Sequence, residues 1–210
     1  MTGENILKIF KNIPTLKTPR LTLRKIRSSD ANDMYEYSKN EEVTSFLLWR
    51  PHADIEFTKA YIEYLFDEYS KGNFYDWAIV VRCGEHKNKM IGTVGFTSFD
   101  LSQQTAEIGY VLNPDFWGNE VAAEALREII YFGFTKLKLH RIEAKYIVGN
   151  KRSVRVMEKC NMQFEGIARS SMYIKDGWKD IGIYSIISDD FIDNLNYYEN
   201  RSKIEYRELI

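Results

Sequence analysis

A change of hydrophobic period at the centre of the chain constrains its fold more than any other feature. Ala106 to Leu112 is a short β-rich run, Glu120 to Leu137 repeats Val121, Ala125, Leu126, Ile129, Ile130 and Phe134 at helical spacing, and Arg141 to Val148 is β-rich again. Apolar residues at i, i+3 and i+4 share one side of a helix, whereas a strand sends alternate side chains to opposite faces; the three segments therefore read as strand, helix, strand. Upstream, Arg20 to Ile26 alternates Leu21 and Leu23 with polar neighbours, as a half-buried strand does. Ser28, Ser29 and Asp30 offer N-caps to a helix bearing Met34, Tyr35 and Tyr37, and a second helix runs from about Asp54 to Lys71, ended by Gly72-Asn73. Trp77 to Arg82 and Met90 to Phe99 join Ala106 to Leu112 as an antiparallel meander. Ser153 to Cys160 is a short helix, and Phe164 to Ile174 with Trp178 to Ser188 make a hairpin across Asp176-Gly177. The order β, α, α, β, β, β, α, β, α, β, β defines an α+β (mixed α/β) domain whose chemistry belongs at the central unit.

Composition narrows the class further. The chain has 210 residues, 29 Lys and Arg against 30 Asp and Glu, and 44% apolar residues, values of one globular domain rather than a disordered, collagen-like or coiled-coil chain. Only Pro14, Pro19, Pro51 and Pro114 interrupt it, with no linker or repeat, so a single domain is expected over 19–192, an appendage over 1–18 and a helical tail over 193–210 bearing Tyr197, Tyr198 and Tyr206. That tail would lie on its own subunit or on another, leaving monomer and homodimer both open. No run approaches the roughly 18 apolar residues that span a bilayer, and the first residues lack the apolar core of a secretory signal. No membrane partner and a cytoplasmic location are therefore expected. Cys83 and Cys160 form no disulfide framework, and His52, His86 and His140 stand alone, so no metal site is expected.

Two segments can carry chemistry. In Glu107-Ile108-Gly109-Tyr110-Val111-Leu112, followed by Asn113 to Phe116 and Trp117-Gly118-Asn119-Glu120-Val121-Ala122-Ala123, a strand ends and a helix begins. Unpaired N–H groups at the positive end of such a helix can hold a phosphate, and small residues let it approach the backbone; an ordinary strand-to-helix turn has the same pattern. From Lys136 to Lys159 there are eight Lys and Arg, Arg155 among them, against two carboxylates. A patch of about +6 in a chain that is otherwise about −7 suits a small polyanion better than nucleic acid, which takes a broader stripe; a solvated helix face is the alternative for any one of these cations. No nucleic-acid partner is expected.

Taken together these residues resemble the GNAT superfamily of acetyl-CoA-dependent N-acetyltransferases, within it the branch that acetylates the N-termini of ribosomal proteins. The markers are Thr18-Pro19-Arg20-Leu21-Thr22-Leu23-Arg24, Glu107-Ile108-Gly109-Tyr110, Trp117-Gly118 to Glu124-Ala125, Asn150 with Ser153 and Val156-Met157-Glu158-Lys159, and Asp176-Gly177-Trp178 with Asp180. The resemblance implies a central, mostly antiparallel twisted sheet of about seven strands with helices on both faces and a V-shaped splay between the fourth and fifth strands. It implies acetyl-CoA as cosubstrate, its pantetheine arm paired with Tyr110, Val111 and Leu112 and held by Asn150. Its pyrophosphate would sit on Trp117, Gly118, Asn119, Glu120, Val121, Ala122 and Ala123, with Arg155 nearby. Transfer would be direct, to a protein or peptide α-amine or to a small amine such as a polyamine, amino sugar or amino acid; a catalytically silent CoA-binding module is a further reading.

Two departures stand out. Glu120 occupies the place of a loop glycine, so its side chain either points to water or weakens CoA binding. Met157 replaces the tyrosine that protonates the departing thiolate in many relatives, and a thioether donates no proton; the Ser153 hydroxyl is the residue implied at the sulfur. Glu107 is the candidate proton acceptor, with a salt-bridge carboxylate as its other reading. Trp49, Tyr173 and Trp178 are candidates for the acceptor groove, with core packing as the alternative.

Overall fold

In the computed structural model the described residues are 8–200 apart from Phe74. The strands are β1 (Leu16–Lys17), β2 (Leu21–Arg24), β3 (Tyr75–Val81), β4 (Met90–Asp100), β5 (Thr105–Leu112), β6 (Arg141–Ile147), β7 (Gln163–Ile174) and β8 (Gly177–Ile187). They form one open sheet in the order β1-β2-β3-β4-β5-β6-β8-β7. The helices are α1 (Ala31–Ser38), α2 (Glu41–Thr44), α3 (Ile55–Lys71), α4 (Val121–Thr135), α5 (Lys151–Glu158), α6 (Ser188–Asp193) and α7 (Leu195–Glu199).

Every neighbouring pair is antiparallel except β5 and β6, which run parallel. Parallel neighbours need a crossover, and α4 supplies it. The β5–β6 ladder extends only from Thr105↔Arg141 to Ile108↔Ala144. Beyond that point β5 stays paired with β4 as far as Leu112, and β6 with β8 as far as Ile147. The two strands thus part while each keeps its outer neighbour, which is the expected splay. It lies between the fifth and sixth strands because Leu16–Lys17 adds a strand at the edge, where two residues are too few to show a period in sequence.

Burial explains the element choices. α4 is buried from Val121 to Ile130, a helix enclosed nearly all round and crossing the sheet, with Trp77 of β3 edge-on to Phe132 at 5.5 Å. The fully buried Trp77 donates its indole N–H to the Pro14 carbonyl at 2.7 Å, and Phe10, also fully buried, packs 5.6 Å from its ring, so part of the 1–18 segment lines the core. On the opposite face Asp76 neighbours α3, where Tyr69 donates its hydroxyl to the Asp76 carbonyl at 2.7 Å. Asn40 and Asp54 cap α2 and α3, the former a helix not anticipated from the sequence. The β7–β8 turn comprises Lys175 and Asp176, with Ile174 opposite Gly177, one residue earlier than expected; Lys175 takes the left-handed conformation (φ +56°) and donates its ammonium to the Thr44 carbonyl. Of the 193–210 tail, Leu195–Glu199 is helical with Tyr198 buried against the Cys160 carbonyl, while 201–210, Tyr206 included, and 1–7 lie outside the described residues.

Candidate active site

A cleft of about 620 Å³ opens at the splay, of a size that accommodates a small-molecule cosubstrate. One wall is the strip Glu107 to Leu112 of β5, whose edge toward β6 has no strand partner beyond Ile108. Its N–H and C=O groups are therefore free to pair with an extended ligand as an added strand.

At one end of the cleft stands the N-terminus of α4. Its first internal bond runs from the Glu124 N–H to the Glu120 carbonyl, and no side chain caps it. The amides of Val121, Ala122 and Ala123 thus remain open at the positive end of the helix dipole, as a pyrophosphate requires. Gly118 stands before them at φ +81°, with nothing within 4 Å of where a Cβ would be. Arg155 lines the same end and has no acidic partner among the described residues. An open amide cluster beside a cation and an unpaired strand edge fits the phosphates and pantetheine arm of CoA.

A buried network that sequence reasoning did not foresee fixes this loop. Glu124, 2% exposed, accepts from the Thr18 hydroxyl at 2.5 Å, the Arg20 N–H at 2.9 Å and Arg20 Nε at 2.7 Å, while another Arg20 nitrogen donates to the Asn119 carbonyl at 2.8 Å. The marker Thr18-Pro19-Arg20 and the marker residue Glu124 are therefore one structural unit that holds the turn in place. Asn119 takes part through its carbonyl and is not among the residues lining the cleft.

Glu120 itself adopts φ +61°, a left-handed conformation natural to the glycine expected there. Its carboxylate neither caps the helix nor faces water alone: it pairs with Lys159, which donates a hydrogen bond and holds it below the usual carboxylate range. Asn150 caps α5, its side chain accepting from the Ser153 N–H at 3.1 Å. Tyr110 and Ser153 face each other across the splay, hydroxyl to hydroxyl at 2.8 Å, and burial raises the Tyr110 phenol. Met157 is fully buried, and so is Cys160, whose thiol burial pushes up to about 12; Cys160 is a packing residue. Asn161 takes φ +55° after α5 and serves as the left-handed C-cap residue.

The remaining expected residues divide. Glu107 lines the cleft but is committed to Lys145 at 2.6 Å. Trp49 also lines it. Tyr173 and Trp178 do not; they are 61% and 64% exposed and pack edge-on against each other at 5.6 Å. Met172 and Ile174 reach the cleft instead, because alternate residues of a strand face opposite sides. Asp76, at the start of β3, lines the cleft as well and was not anticipated. Among the described residues no group of His, Cys, Asp and Glu could hold a metal ion, and no helix is long and apolar enough to cross a membrane.

A splayed parallel pair beside an uncapped helix start defines the class as an acyl-CoA-dependent N-acyltransferase fold. The model of the acetyltransferase (GNAT) domain matches residues 20–163, and the chain belongs to that family. It is 33% identical over 177 residues to the uncharacterized N-acetyltransferase p20 of Bacillus licheniformis, an alignment covering 84% of this chain and 98% of the relative. Among solved structures it resembles the ribosomal-protein-S5-alanine acetyltransferase from Vibrio fischeri, with TM-score 0.70, 26% identity, and coverage of 84% of this chain and 98% of that one. The spermidine N-acetyltransferase from Vibrio cholerae, solved in complex with CoA and spermine, shares the fold at TM-score 0.67 and 22% identity over 82% of this chain and 98% of that one. The protein is accordingly an acetyltransferase of the GNAT type.

Proposed function

We propose that the chain transfers the acetyl group of acetyl-CoA directly to the α-amine of a protein or peptide N-terminus. The solved structures named above include a ribosomal-protein-S5-alanine acetyltransferase and a spermidine N-acetyltransferase, so the choice between such acceptors is supported by the charge of the cleft. Its acidic lining residues are Glu42, Asp76, Glu107 and Glu120, and its basic ones Lys145, Arg152, Arg155 and Lys159. Glu42 is paired with Arg152, Glu107 with Lys145 and Glu120 with Lys159. One carboxylate, Asp76, has no partner among the described residues, and the cleft lining also includes the apolar Phe46, Leu47, Leu48, Trp49, Met172 and Ile174. A polyamine carries several cations and calls for several free carboxylates; a single ammonium next to an apolar side chain matches one. That single carboxylate without a partner among the described residues, in a cleft whose other acids are all paired, is the observation that carries the reading.

Acetyl-CoA, when bound, supplies an activated acyl carbonyl and a thiolate leaving group. The strand edge Tyr110 to Leu112 orients it, the α4 amides and Arg155 hold its phosphates, and the Tyr110–Ser153 hydroxyl pair protonates or hydrogen-bonds the departing sulfur where Met157 cannot. Glu107 and Lys145 stand together at the narrow end of the splay, and the carboxylate acts there only by leaving its partner. The test is thiol release from acetyl-CoA with an unblocked peptide, with spermidine and with an amino sugar, each product weighed for an added acetyl group. Acetylation of the peptide α-amine supports the reading; turnover confined to spermidine or the amino sugar overturns it.

A further inference from the structure

Asp76 has no counterpart in the reading of the cofactor half of the cleft, and its surroundings set it apart from the other carboxylates. Asp76, Gly95 and Gly109 lie opposite one another on three adjacent strands, so all three share one face of the sheet. The two glycines contribute no side chains to that row. A Cβ on Gly95 would lie 2.4 Å from Asp76 Oδ1, so the carboxylate leans over Gly95 toward the cleft, and only a glycine leaves it room. On Gly109 the nearest atom to a Cβ would be Thr97 Cγ2 at 3.0 Å. The row of glycines opens a passage from Asp76 to the β5 edge, about 10 Å across two strand spacings.

No donor or cation holds the Asp76 carboxylate among the described residues, and half-buried carboxylates in folded proteins are ordinarily paired or hydrogen-bonded. Around it stand the uncharged phenols Tyr37 of α1 and Tyr61 and Tyr69 of α3, and further along the same face Glu107 with its partner Lys145. We infer that Asp76 draws the ammonium of the acceptor into the cleft and takes its proton through water in the glycine passage, an inference that rests on the acetyl-transfer reading of this cleft. With its nitrogen at the β5 edge, the ammonium R–NH3+ gives one proton to the Asp76 carboxylate through water in the glycine passage and becomes R–NH2. The nitrogen lone pair forms the new C–N bond to the acetyl carbon and the C–S bond breaks. The electron pair of that bond leaves on sulfur, which takes the second proton of the amine nitrogen through the Tyr110–Ser153 hydroxyls. Asp76 returns its own proton to water. Burial supports this assignment by raising the Asp76 carboxyl to about 7, which suits a group that must exchange a proton near neutrality.

The experiment compares the wild-type protein with Asp76→Asn, using a short unblocked peptide and acetyl-CoA. Calorimetry is expected to give the same acetyl-CoA Kd for both, while kcat/KM for the peptide falls at least about 100-fold in the variant and the inflection near neutral pH vanishes from its kcat profile at saturating peptide, where titration of the free peptide amine at about 8 does not enter. A variant that keeps kcat/KM within about threefold and retains that inflection overturns the inference while leaving acetyl transfer intact. Should the wild type bind acetyl-CoA yet release no thiol with any amine, the acetyl-transfer reading fails and the inference with it. Independently of turnover, carboxyl NMR of the wild type should show Asp76 titrating near 7 and shifting downward when the peptide amine binds; a titration unmoved by the amine overturns the inference.

Discussion

Glu120 offers the sharpest test of how the cofactor loop is built, because the backbone and the charge of one residue can be separated by two substitutions. Its φ of +61° is a left-handed value that costs an L-residue about 1–2 kcal/mol relative to glycine. Its ion pair with Lys159 joins side chains that are 41% and 48% exposed and is worth only about 0.2–1 kcal/mol. Glu120→Ala removes the pair and keeps the strain, so it should lose a few tenths of a kcal/mol. Glu120→Gly removes both, so relative to alanine it should gain about 1 kcal/mol, or roughly 2–4 °C in Tm for a chain of this size. Acetyl-CoA affinity should rise in both variants, because Lys159 is released toward the phosphates; one added charge-assisted hydrogen bond is worth about 1.5 kcal/mol, roughly tenfold in Kd. Differential scanning calorimetry and isothermal titration read the two effects separately. Equal Tm values for the glycine and alanine variants would refute the strain argument, and looser acetyl-CoA binding in both would refute the view that the carboxylate competes with the ligand.

Four further outcomes follow from the geometry. Glu124→Ala removes the buried carboxylate that accepts from Thr18 and Arg20 and should cost about 3–5 kcal/mol, seen as a fall of roughly 10 °C or more in Tm. Tyr110→Phe and Ser153→Ala should each lower kcat by about 10- to 100-fold at unchanged acetyl-CoA affinity, measured by steady-state thiol release. Iodoacetamide should label the exposed Cys83 and spare the buried Cys160 in the folded protein, as peptide mass mapping would show. Because the Asp76 carboxyl is raised to about 7, its ionisation destabilises the fold: stability should fall between about pH 4 and 7 and level off above, and Asp76→Asn should be the more stable form at pH 8 by roughly 2–4 kcal/mol in urea titrations.

Legibility in the sequence follows the range of the interactions. The change of period at Glu120 to Leu137 is local, and it correctly gives the crossover helix and the strands on either side; the residues on either side of it form the cleft wall. The start of a helix at about Asp54 is also local, decided by a cap within a few residues, whereas Asn150, expected at the pantetheine arm, has its side chain on the Ser153 N–H as the cap of α5. What escapes is set by contacts distant in sequence. Glu124 meets Thr18 and Arg20 more than a hundred positions away, and Glu120 meets Lys159 across 39. Asp76 is an unremarkable aspartate at a strand start until β4 places Gly95 beside it and α1 and α3 bring their tyrosines. Tyr173 and Trp178 show a different limit: aromatic content suggested a groove, and strand parity leaves these two outside the cleft lining while Met172 and Ile174 are part of it. At the Lys175-Asp176 turn, one residue from its expected place, the partners are again distant in sequence: Lys175 meets Thr44 and Asp176 meets Arg50.

The distribution of charge along the cleft also accounts for the order in which its parts must act. At the α4 end the open amides and Arg155 present positive potential with no acid directly opposing Arg155, so a phosphate is drawn there and an ammonium is repelled. Toward β3 the unpaired Asp76 among phenols reverses the sign. The three compensated pairs, Glu42–Arg152, Glu107–Lys145 and Glu120–Lys159, leave little net field between these ends. A phosphorylated cosubstrate and a cationic acceptor are thereby sorted to opposite ends, and their reactive atoms meet where β5 and β6 part. The same sorting explains why a basic patch of about +6 coexists with an ammonium-binding role. Four of its eight members are committed to acids, Arg141 to Glu165, Lys145 to Glu107 and Glu143, Arg152 to Glu42 and Lys159 to Glu120, so the patch presents less free charge than its count implies. Among the described residues lining the cleft, Arg155 at the phosphate end and Asp76 at the acceptor end are then the two charges without an opposite partner, and they give the cleft its direction.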